Sequence, residues 1–326
     1  MKLTRHASLA LRFALSLALA FCALGAAAQS YPSRAVRVVV GFPPGGGTNI
    51  MARVLSPRLS EYLGQPFVVE NRPGATTNIA SDLVAKSAPD GHTLLFTTSA
   101  LAINMSLYKN LPFDALRDFA PISVFAESPN LLVAHSSAGA SVKELLAQAK
   151  AKPGSMNYSS AGSGTSQHLA GELFKARSGA SIAHIPYKGT AASLTAVIAG
   201  EVHFSFANVP AILGHVRSGR LRALAVAAPR RSDLMPDVPT MEEAGVAGVE
   251  VPVWYALLGP AALPREIVRT LNEATVRAAR SPDLRQKLVE QGADPVGNTP
   301  EEFAKLLKEE VAKWAEVVKI SGAKAE

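Results

Sequence analysis

The sequence predicts an α/β fold of two units, each built on a parallel sheet. Short apolar, β-branched runs alternate with amphipathic stretches through the first 130 residues, and the alternation resumes beyond them. After residue 258 the strand pattern stops and only helical periodicity remains. With 326 residues, 48% of them hydrophobic and 18% charged, the chain is long enough to form two cores.

The first 28 residues predict a secretory signal. Three basic residues precede the apolar run 13–24, small residues follow it, and cleavage is expected after Ala28. Cys22, the single cysteine, follows Phe21, where a lipoprotein would need a small residue. We therefore expect an exported chain with neither lipid anchor nor disulfide.

Charge and spacing exclude several classes of protein. The net charge is +7, and the first 28 residues hold three of the 33 basic and none of the 26 acidic residues, which leaves +4. No Lys/Arg run is interleaved with aromatics, so no nucleic-acid partner is expected. No later stretch offers 18 uncharged apolar residues, and the histidines lack metal-ligand spacing. We expect no transmembrane helix, metal or cofactor.

The first unit should alternate strand and helix from Val36 onward. Its first helix should end where Gly64 supplies a C-cap and Pro66 blocks continuation. The expected elements are strand 36–40, helix 48–63, strand 67–69, helix 78–85 and strand 93–97.

The second unit repeats this order, and a helical tail follows. Its expected elements are strand 131–134, helix 142–151, strand 156–159, helix 167–176, strand 182–186, helix 191–199, and strands 202–206 and 221–226. Strand 251–258 leads into helices 264–280 and 282–291 and a last helix opened by the capping box Thr299 to Glu302.

The chain should therefore cross twice between two domains, near 127–130 and 249–253. Residues 29–128 and 251–326 would form domain I, with the tail packed back on it, and 129–250 would form domain II. Ligands of open α/β sheets lie at the carboxyl ends of the strands, so the cleft is expected between the domains.

Two glycine-rich turns would face each other there, VVVGFPPGGGTNIM at 38–51 and SSAGSGTSQHL at 159–169. Each follows a strand and opens a helix, whose free N–H groups and dipole suit an anion such as carboxylate or phosphate. A plain strand-to-helix turn remains the alternative for either turn alone.

Enzyme signatures fit these turns poorly. Gly45 and Gly47 begin a dinucleotide fingerprint, but Ile50 stands where its third glycine belongs. Ser163 and His168 suggest acyl transfer, yet AGSGT is not a Gly-x-Ser-x-Gly elbow and the two residues should not face each other. An exported hydrolase remains one alternative, and a surface interaction protein another.

Several motifs in order resemble the Bug family, the substrate-binding receptors of tripartite tricarboxylate transporters. The likeness runs from Tyr31 to the C-terminal helices. The motifs are YPSRAVRVVVGFPPGGGTNIMARVL, VVENRPGATTNIA, APDGHTLLF, LYKNLPFDALRDFAPIS, AGSGTSQHLAGELF, IPYKGTAASLTAVIAGEV and LRALAVAAPRRSDLMPDVPTMEEAG.

The resemblance implies a type II-like periplasmic binding protein. Two Rossmann-like α/β domains would be joined by a two-strand hinge, with the ligand cleft between them. It would be a monomer without catalysis or cofactor, capturing a small organic carboxylate: a dicarboxylate, a tricarboxylate or an aromatic acid. Its partners would be the membrane subunits of a transporter, or a sensor protein in the alternative that it signals.

The resemblance also implies the walls of the cleft. The first wall would be Phe42, Pro44, Gly46, Thr48, Asn49, Asn78, Ser99 and Asn104. The opposing wall would be Ser163, Gly164, Thr165, His168, Tyr187, Lys188, Gly189 and Asn208. For Lys188 a solvated surface charge is an equal alternative.

Two positions depart from the family pattern. The family commonly has aspartate where this chain has Asn49, and often histidine where it has Leu101. Loss of the acid should lower the repulsion of an anion and weaken the recognition of an ammonium group. We therefore expect a carboxylate ligand that needs no amine.

Overall fold

The structure, a computed structural model, describes residues 31–325, so the predicted signal peptide 1–28 and Cys22 lie outside the described residues. The strands of the described part are β1 (Val36–Val40), β2 (Phe67–Asn71), β3 (Thr93–Thr98), β4 (Phe119–Ala134), β5 (Met156–Ser160), β6 (Ile182–Pro186), β7 (Phe204–Asn208), β8 (Arg222–Val226), β9 (Pro252–Pro260) and β10 (Asp294–Pro295).

Helices alternate with these strands and then close the chain. They are α1 (Gly47–Leu63), α2 (Asn78–Ala85), α3 (Ala100–Leu107), α4 (Val142–Ala151), α5 (Ser166–Ser178), α6 (Thr190–Ile198), α7 (Val209–Arg217), α8 (Arg265–Arg280), α9 (Pro282–Glu290) and α10 (Pro300–Ser321). None of the helices within residues 31–325 is long and apolar enough to cross a membrane.

The strands form one hydrogen-bonded path in the order β2-β1-β3-β9-β4-β7-β5-β6. β1 pairs in parallel with β2 and β3, and β5 pairs in parallel with β6 and β7, as the strand-helix alternation predicts. β4 joins the two halves, because residues 119–129 pair with β9 whereas residues 130–134 pair with β7 and β8.

The return crossing lies beside the first. Val251 N donates to Ala227 O at 2.9 Å, and the Nδ2 of buried Asn130 donates to Val251 O at 2.8 Å. β9 then begins at Pro252 and runs into the first half. The predicted two-domain α/β fold with a two-strand hinge is confirmed; the domain boundaries stay a prediction.

The apolar cores follow this division, except under the last helix. One core lies around β1, α1 and α8, and a second lies around α6, α7 and the second half of β4. The largest contains residues of both halves, among them Leu101, Phe206 and Trp314. α10 packs on α3 and also on α5, so the last helix contacts both halves and not only the first.

Several elements differ from the sequence prediction, among them α3, α7, β4 and β7. α3 and α7 were not expected, and β4 begins at Phe119 instead of Leu131. Pro121 argues against a strand in the sequence-based prediction. In the structure, a shift in register between Pro121 and Ser123 accommodates this proline in the pairing of β4 with β9. β7 also lies two residues later than expected, which makes Asn208 its last residue.

Candidate binding cleft

A narrow cleft lies between the two halves, at the carboxyl ends of their strands. It encloses about 20 Å³, room for about one water molecule, so the two walls are closed on each other. The residues lining it, none of them charged, are Phe42, Gly46, Thr48, Thr98, Ala161, Thr165, Ser166, Gln167, Thr190, Asn208 and Val253.

Four helices begin at this cleft. The first helical hydrogen bond of α1 runs from Ile50 N to Gly46 O at 3.1 Å, so the N–H groups of residues 47–49 lie outside the helical ladder. α5, α6 and α7 begin at Ser166, Thr190 and Val209, next to lining residues of the opposing half. The partial positive ends of four helix dipoles are thus gathered at one small space.

The sequence of these first turns leaves that positive potential uncompensated. None of the four helices has an acidic residue in its first turn, and only α5 has a side-chain cap, the Oγ1 of Thr165 accepting from His168 N at 3.2 Å. Of the other helices, α4, α8, α9 and α10 carry Asp or Glu in the first turn, whereas α2 and α3, which follow the loops after β2 and β3, do not. The cleft therefore has the electrostatics of an anion site.

The first glycine turn packs closely on the opposing half. A Cβ added to Gly47 would lie 2.2 Å from the Oδ1 of Asn208 and 2.8 Å from the Oη of Tyr255. One added to Gly46 would lie 3.2 Å from the Oγ1 of Thr190, and Pro43 packs on Gly189. Glycine at position 47 allows this close approach of the two halves.

The second glycine turn meets residues that follow β2 and β3. The Oη of Tyr108 donates to Ser163 O at 3.1 Å, and the Oδ1 of Asn104 lies where a Cβ on Gly164 would fall, 2.1 Å away. Asn104 is held in place because its Nδ2 donates to Asn78 Oδ1 at 2.8 Å and to Thr76 O at 2.9 Å. Both glycine turns thus contact the opposite half.

Several buried polar atoms at these contacts have no protein partner among residues 31–325. They are the Oδ1 of Asn104, the Oγ of Ser163, the Oδ1 of Asn208 and the Oη of Tyr255. Burial raises the pKa of Tyr255 well above its usual value, so its hydroxyl stays protonated and can donate. Orphaned buried groups carry a free-energy penalty of about 1–3 kcal/mol each, which a polar ligand or water can remove.

Comparison with known proteins identifies the family. Residues 51–323 match the tripartite tricarboxylate transporter family receptor. Protein BugT of Bordetella pertussis is 40% identical over 300 residues, which cover 91% of this chain and 92% of that protein. The chain belongs to the tripartite tricarboxylate transporter receptor family. The Bug resemblance is confirmed.

Two solved structures of similar proteins carry ligands. R. palustris Rpa4515 with adipate is 37% identical with a TM-score of 0.88, covering 91% of this chain and 100% of that one. MatC (Rpa3494) from Rhodopseudomonas palustris with bound malate is 32% identical with a TM-score of 0.84, covering 88% and 100%. Like other members of this receptor family, the present chain is a periplasmic-type solute-binding protein.

The structure of this family member places five predicted site residues on the cleft surface. They are Phe42, Gly46, Thr48, Thr165 and Asn208. Others lie just behind: Gly189 precedes α6, and Ser99 lies fully buried beside the lining residue Thr98. Pro44 and Lys188 are exposed, and Tyr187 packs against the core around α6 and α7.

Asn49 braces the first turn by its side chain and does not line the cleft. Its Nδ2 donates to Asn71 Oδ1 at 3.0 Å, its Oδ1 accepts from Arg53 Nε at 3.3 Å, and Asn71 in turn donates to Phe42 O at 2.7 Å. A substitution at Asn49 would therefore act on a ligand through Phe42 and the position of the turn. The effect of Asn49 on specificity stays a prediction.

His168 supports the second turn from within the core. Its Nδ1 accepts from Gly164 N at 3.2 Å, and its ring stacks on His184 at 4.4 Å. Burial lowers the pKa of His168 to about 4 and that of His184 to about 3, so both rings are neutral near pH 7. Gly164 N is thus already bonded, and Ser163 Oγ does not bond His168 as a hydrolase would require.

Six lining residues were not among the predicted site residues: Thr98, Ala161, Ser166, Gln167, Thr190 and Val253. Of these, the sequence indicates only Ser166, as a hydroxyl of the second glycine turn. Gln167 is the most informative, because its Oε1 accepts from Ala161 N at 2.8 Å while its Nε2 donates to Thr190 Oγ1 at 3.1 Å. It thereby ties α5 to α6. Its place in the first turn of a helix that follows a glycine-serine turn and is capped by Thr165 is the signal that could have identified it.

Proposed function

We propose that this protein is a periplasmic receptor that captures a small organic carboxylate in the cleft and delivers it to the membrane subunits of a tripartite tricarboxylate-type transporter. The observation that carries the proposal is the gathering of four helix N-termini, all without first-turn acids, around a cleft with no charged lining residue. It acts as a binding protein, without catalysis.

The strength of such a site can be estimated from its donors. Each helix dipole stabilises an anion by about 0.3–1 kcal/mol, and each charge-assisted hydrogen bond contributes about 1.5–3 kcal/mol. Three or four such bonds, after the cost of ordering the ligand and closing the lobes, are compatible with a Kd of about 1 μM, or about −8 kcal/mol. No charged side chain is needed.

The same lining sets the ligand class. Dicarboxylates, tricarboxylates and aromatic acids remain candidates, and the adipate and malate of the two similar structures support the first. An ammonium group should not be required, because the lining contains no Asp or Glu that could pair with it. For closure to enclose the ligand, residues 29–128 with 251–326 would move as one lobe and 129–250 as the other.

Capture is tested by calorimetry with adipate, malate, benzoate and the neutral diamide of adipate. We expect at least one carboxylate to bind saturably and unchanged, and the diamide to bind about tenfold or more weakly. Thr48→Val, which removes one cleft hydroxyl while keeping the shape, should weaken binding, whereas Thr270→Val on the exposed face of α8 should not. Equal binding of the diamide, or binding of amino acids alone, would contradict the proposal.

Export and delivery have their own test. Full-length protein should appear in the periplasm with a new N-terminus after Ala28. In vesicles that contain the membrane subunits, uptake should require the protein. Binding without any dependence of uptake on it would favour the alternative of a sensor.

A further inference from the structure

A second cavity lies on the hinge, apart from the cleft. It has a volume of about 310 Å³, at the lower end of the range of small-molecule pockets. One side is formed by the crossing strands at Glu127 and Pro252, and the other sides by the 228–234 loop and the turn after α9. It therefore borders both halves of the molecule.

Most of its wall is apolar. Pro129, Ala228, Leu234, Pro252 and Ala293 line it, and Val289 at its rim is 42% exposed, one of the few large apolar side chains at the surface of the described chain. An apolar concave wall beside an exposed valine is the surface that an apolar ligand body would cover.

One charged group in this cavity lacks a partner. Glu127 stands opposite Asp294 in the antiparallel pairing of β4 with β10, which places two carboxylates side by side. Arg230 pairs with Asp294 at 3.2 Å and with Asp233 at 3.5 Å, and its guanidinium is thereby engaged. Among residues 31–325 the Glu127 carboxylate has no ion pair or hydrogen bond.

The surroundings of Glu127 agree with an uncompensated negative charge. The Glu127 side chain is exposed at the cavity wall. Partial burial of the carboxyl group, with Asp294 adding to the effect, raises its pKa, and Arg230 offsets the rise only in part. A metal ion is a poor occupant, because no group of three or more His, Cys, Asp or Glu in the described part of the chain could hold one. An anion would meet two arginines that are already paired, Arg230 with two carboxylates and Arg231 with Glu243.

We propose that the hinge cavity is a second binding site, which takes a small organic cation with an ammonium group on Glu127 and an apolar body against Val289 and Leu234. Charge complementarity decides the ligand class: the ammonium group would supply the missing counter-charge and hydrogen-bond donors, while the apolar wall excludes a fully hydrated ion. The site is separate from the carboxylate cleft, since the two share no lining residue.

The probe for this proposal is cyclohexylammonium, with cyclohexanol as a neutral molecule of similar shape. Calorimetry should show saturable binding of the ammonium and about tenfold or more weaker binding of the alcohol. In amide NMR spectra the signals of residues 228–234 and 289–294 should shift first. Absence of binding, equal binding of the alcohol, or shifts confined to the cleft would overturn the proposal.

Two variants with matched controls locate the interaction. Glu127→Gln removes the charge and should weaken the ammonium about tenfold, whereas Glu290→Gln, an exposed carboxylate on α9, should leave it unchanged. Val289→Trp should crowd the rim and weaken both probes, whereas Val68→Trp, at a similarly exposed valine on β2, should not. Wild-type affinity in folded Glu127→Gln would refute the assignment.

Discussion

Gly47 opens α1, a position where alanine would ordinarily favour the helix by up to about 1 kcal/mol. Its backbone is in the ordinary helical region, so a side chain brings no conformational strain there. The main obstacle lies across the cleft, because a Cβ would stand 2.2 Å from the Oδ1 of Asn208; the Oη of Tyr255 in the same half as Gly47, 2.8 Å away, needs to move by only a few tenths of an ångström. Gly47→Ala should therefore spare the fold and oppose closure of the two halves.

The magnitude follows from that contact. Cβ atoms essentially never approach a heavy atom within 3.0 Å, so either α1 or the side chain of Asn208 must move by about 0.8 Å. A hydrogen bond of about 2.9 Å from either wall to a ligand would lengthen beyond 3.5 Å and be lost. The loss of one charge-assisted bond, about 1.5–3 kcal/mol, corresponds to about 10- to 150-fold weaker ligand binding.

Calorimetry with the carboxylate that binds the wild type, together with urea unfolding without ligand, measures both effects. Gly214→Ala is the matched control, since this glycine lies inside α7, across from open space. The control should gain a few tenths of a kcal/mol in stability and bind normally. If Gly47→Ala binds the ligand with wild-type affinity, or if it loses the same stability with and without ligand, the argument that the contact between Gly47 and Asn208 forms on closure of the two halves is refuted.

Two further predictions concern the fold around the site. Gly292→Ala should lower the free energy of unfolding by about 1–3 kcal/mol more than Gly219→Ala. Both glycines have φ +71°, but only at Gly292 would a Cβ collide with Val209, 2.2 Å away. Equal losses for the two variants in urea unfolding would contradict this. From pH 6.5 down to about 4, the unfolded chain protonates His168 and His184 while the folded chain does not, so the free energy of unfolding should fall by about 1.4 kcal/mol per pH unit for each histidine. His184→Gln should reduce the slope of the free energy of unfolding against pH by one such increment. An unchanged slope would show that another group titrates.

Much of the fold could be predicted because local patterns and tertiary packing agree. β1 and α4 have the bounds that periodicity and caps predict. α3 was missed because residues 100–104 are buried on every side, which removes the polar face that marks an amphipathic helix. α7 was missed because its strongest signal is Pro210, which the first turn of a helix tolerates.

The candidate site could be predicted only to the level of its turns. The glycine turns indicate where free backbone N–H groups lie, and the family resemblance indicates that the two turns lie on opposing walls of one cleft. Side-chain direction depends on packing that the sequence does not display: Asn49, beside Thr48, turns inward to Asn71, while Gln167, beside His168, lines the cleft. A residue's neighbours in the sequence therefore do not settle whether it touches a ligand.

The distribution of acidic residues among the first turns of the helices supports the proposed function, which no single residue does. A first-turn Asp or Glu stabilises a helix by about 0.3–1 kcal/mol, and α4, α8, α9 and α10 each have one. α1, α5, α6 and α7, which begin at the cleft, lack one, and so do α2 and α3. The forgone stabilisation of the four helices, about 1–4 kcal/mol together, remains available to an anion that binds between the two halves.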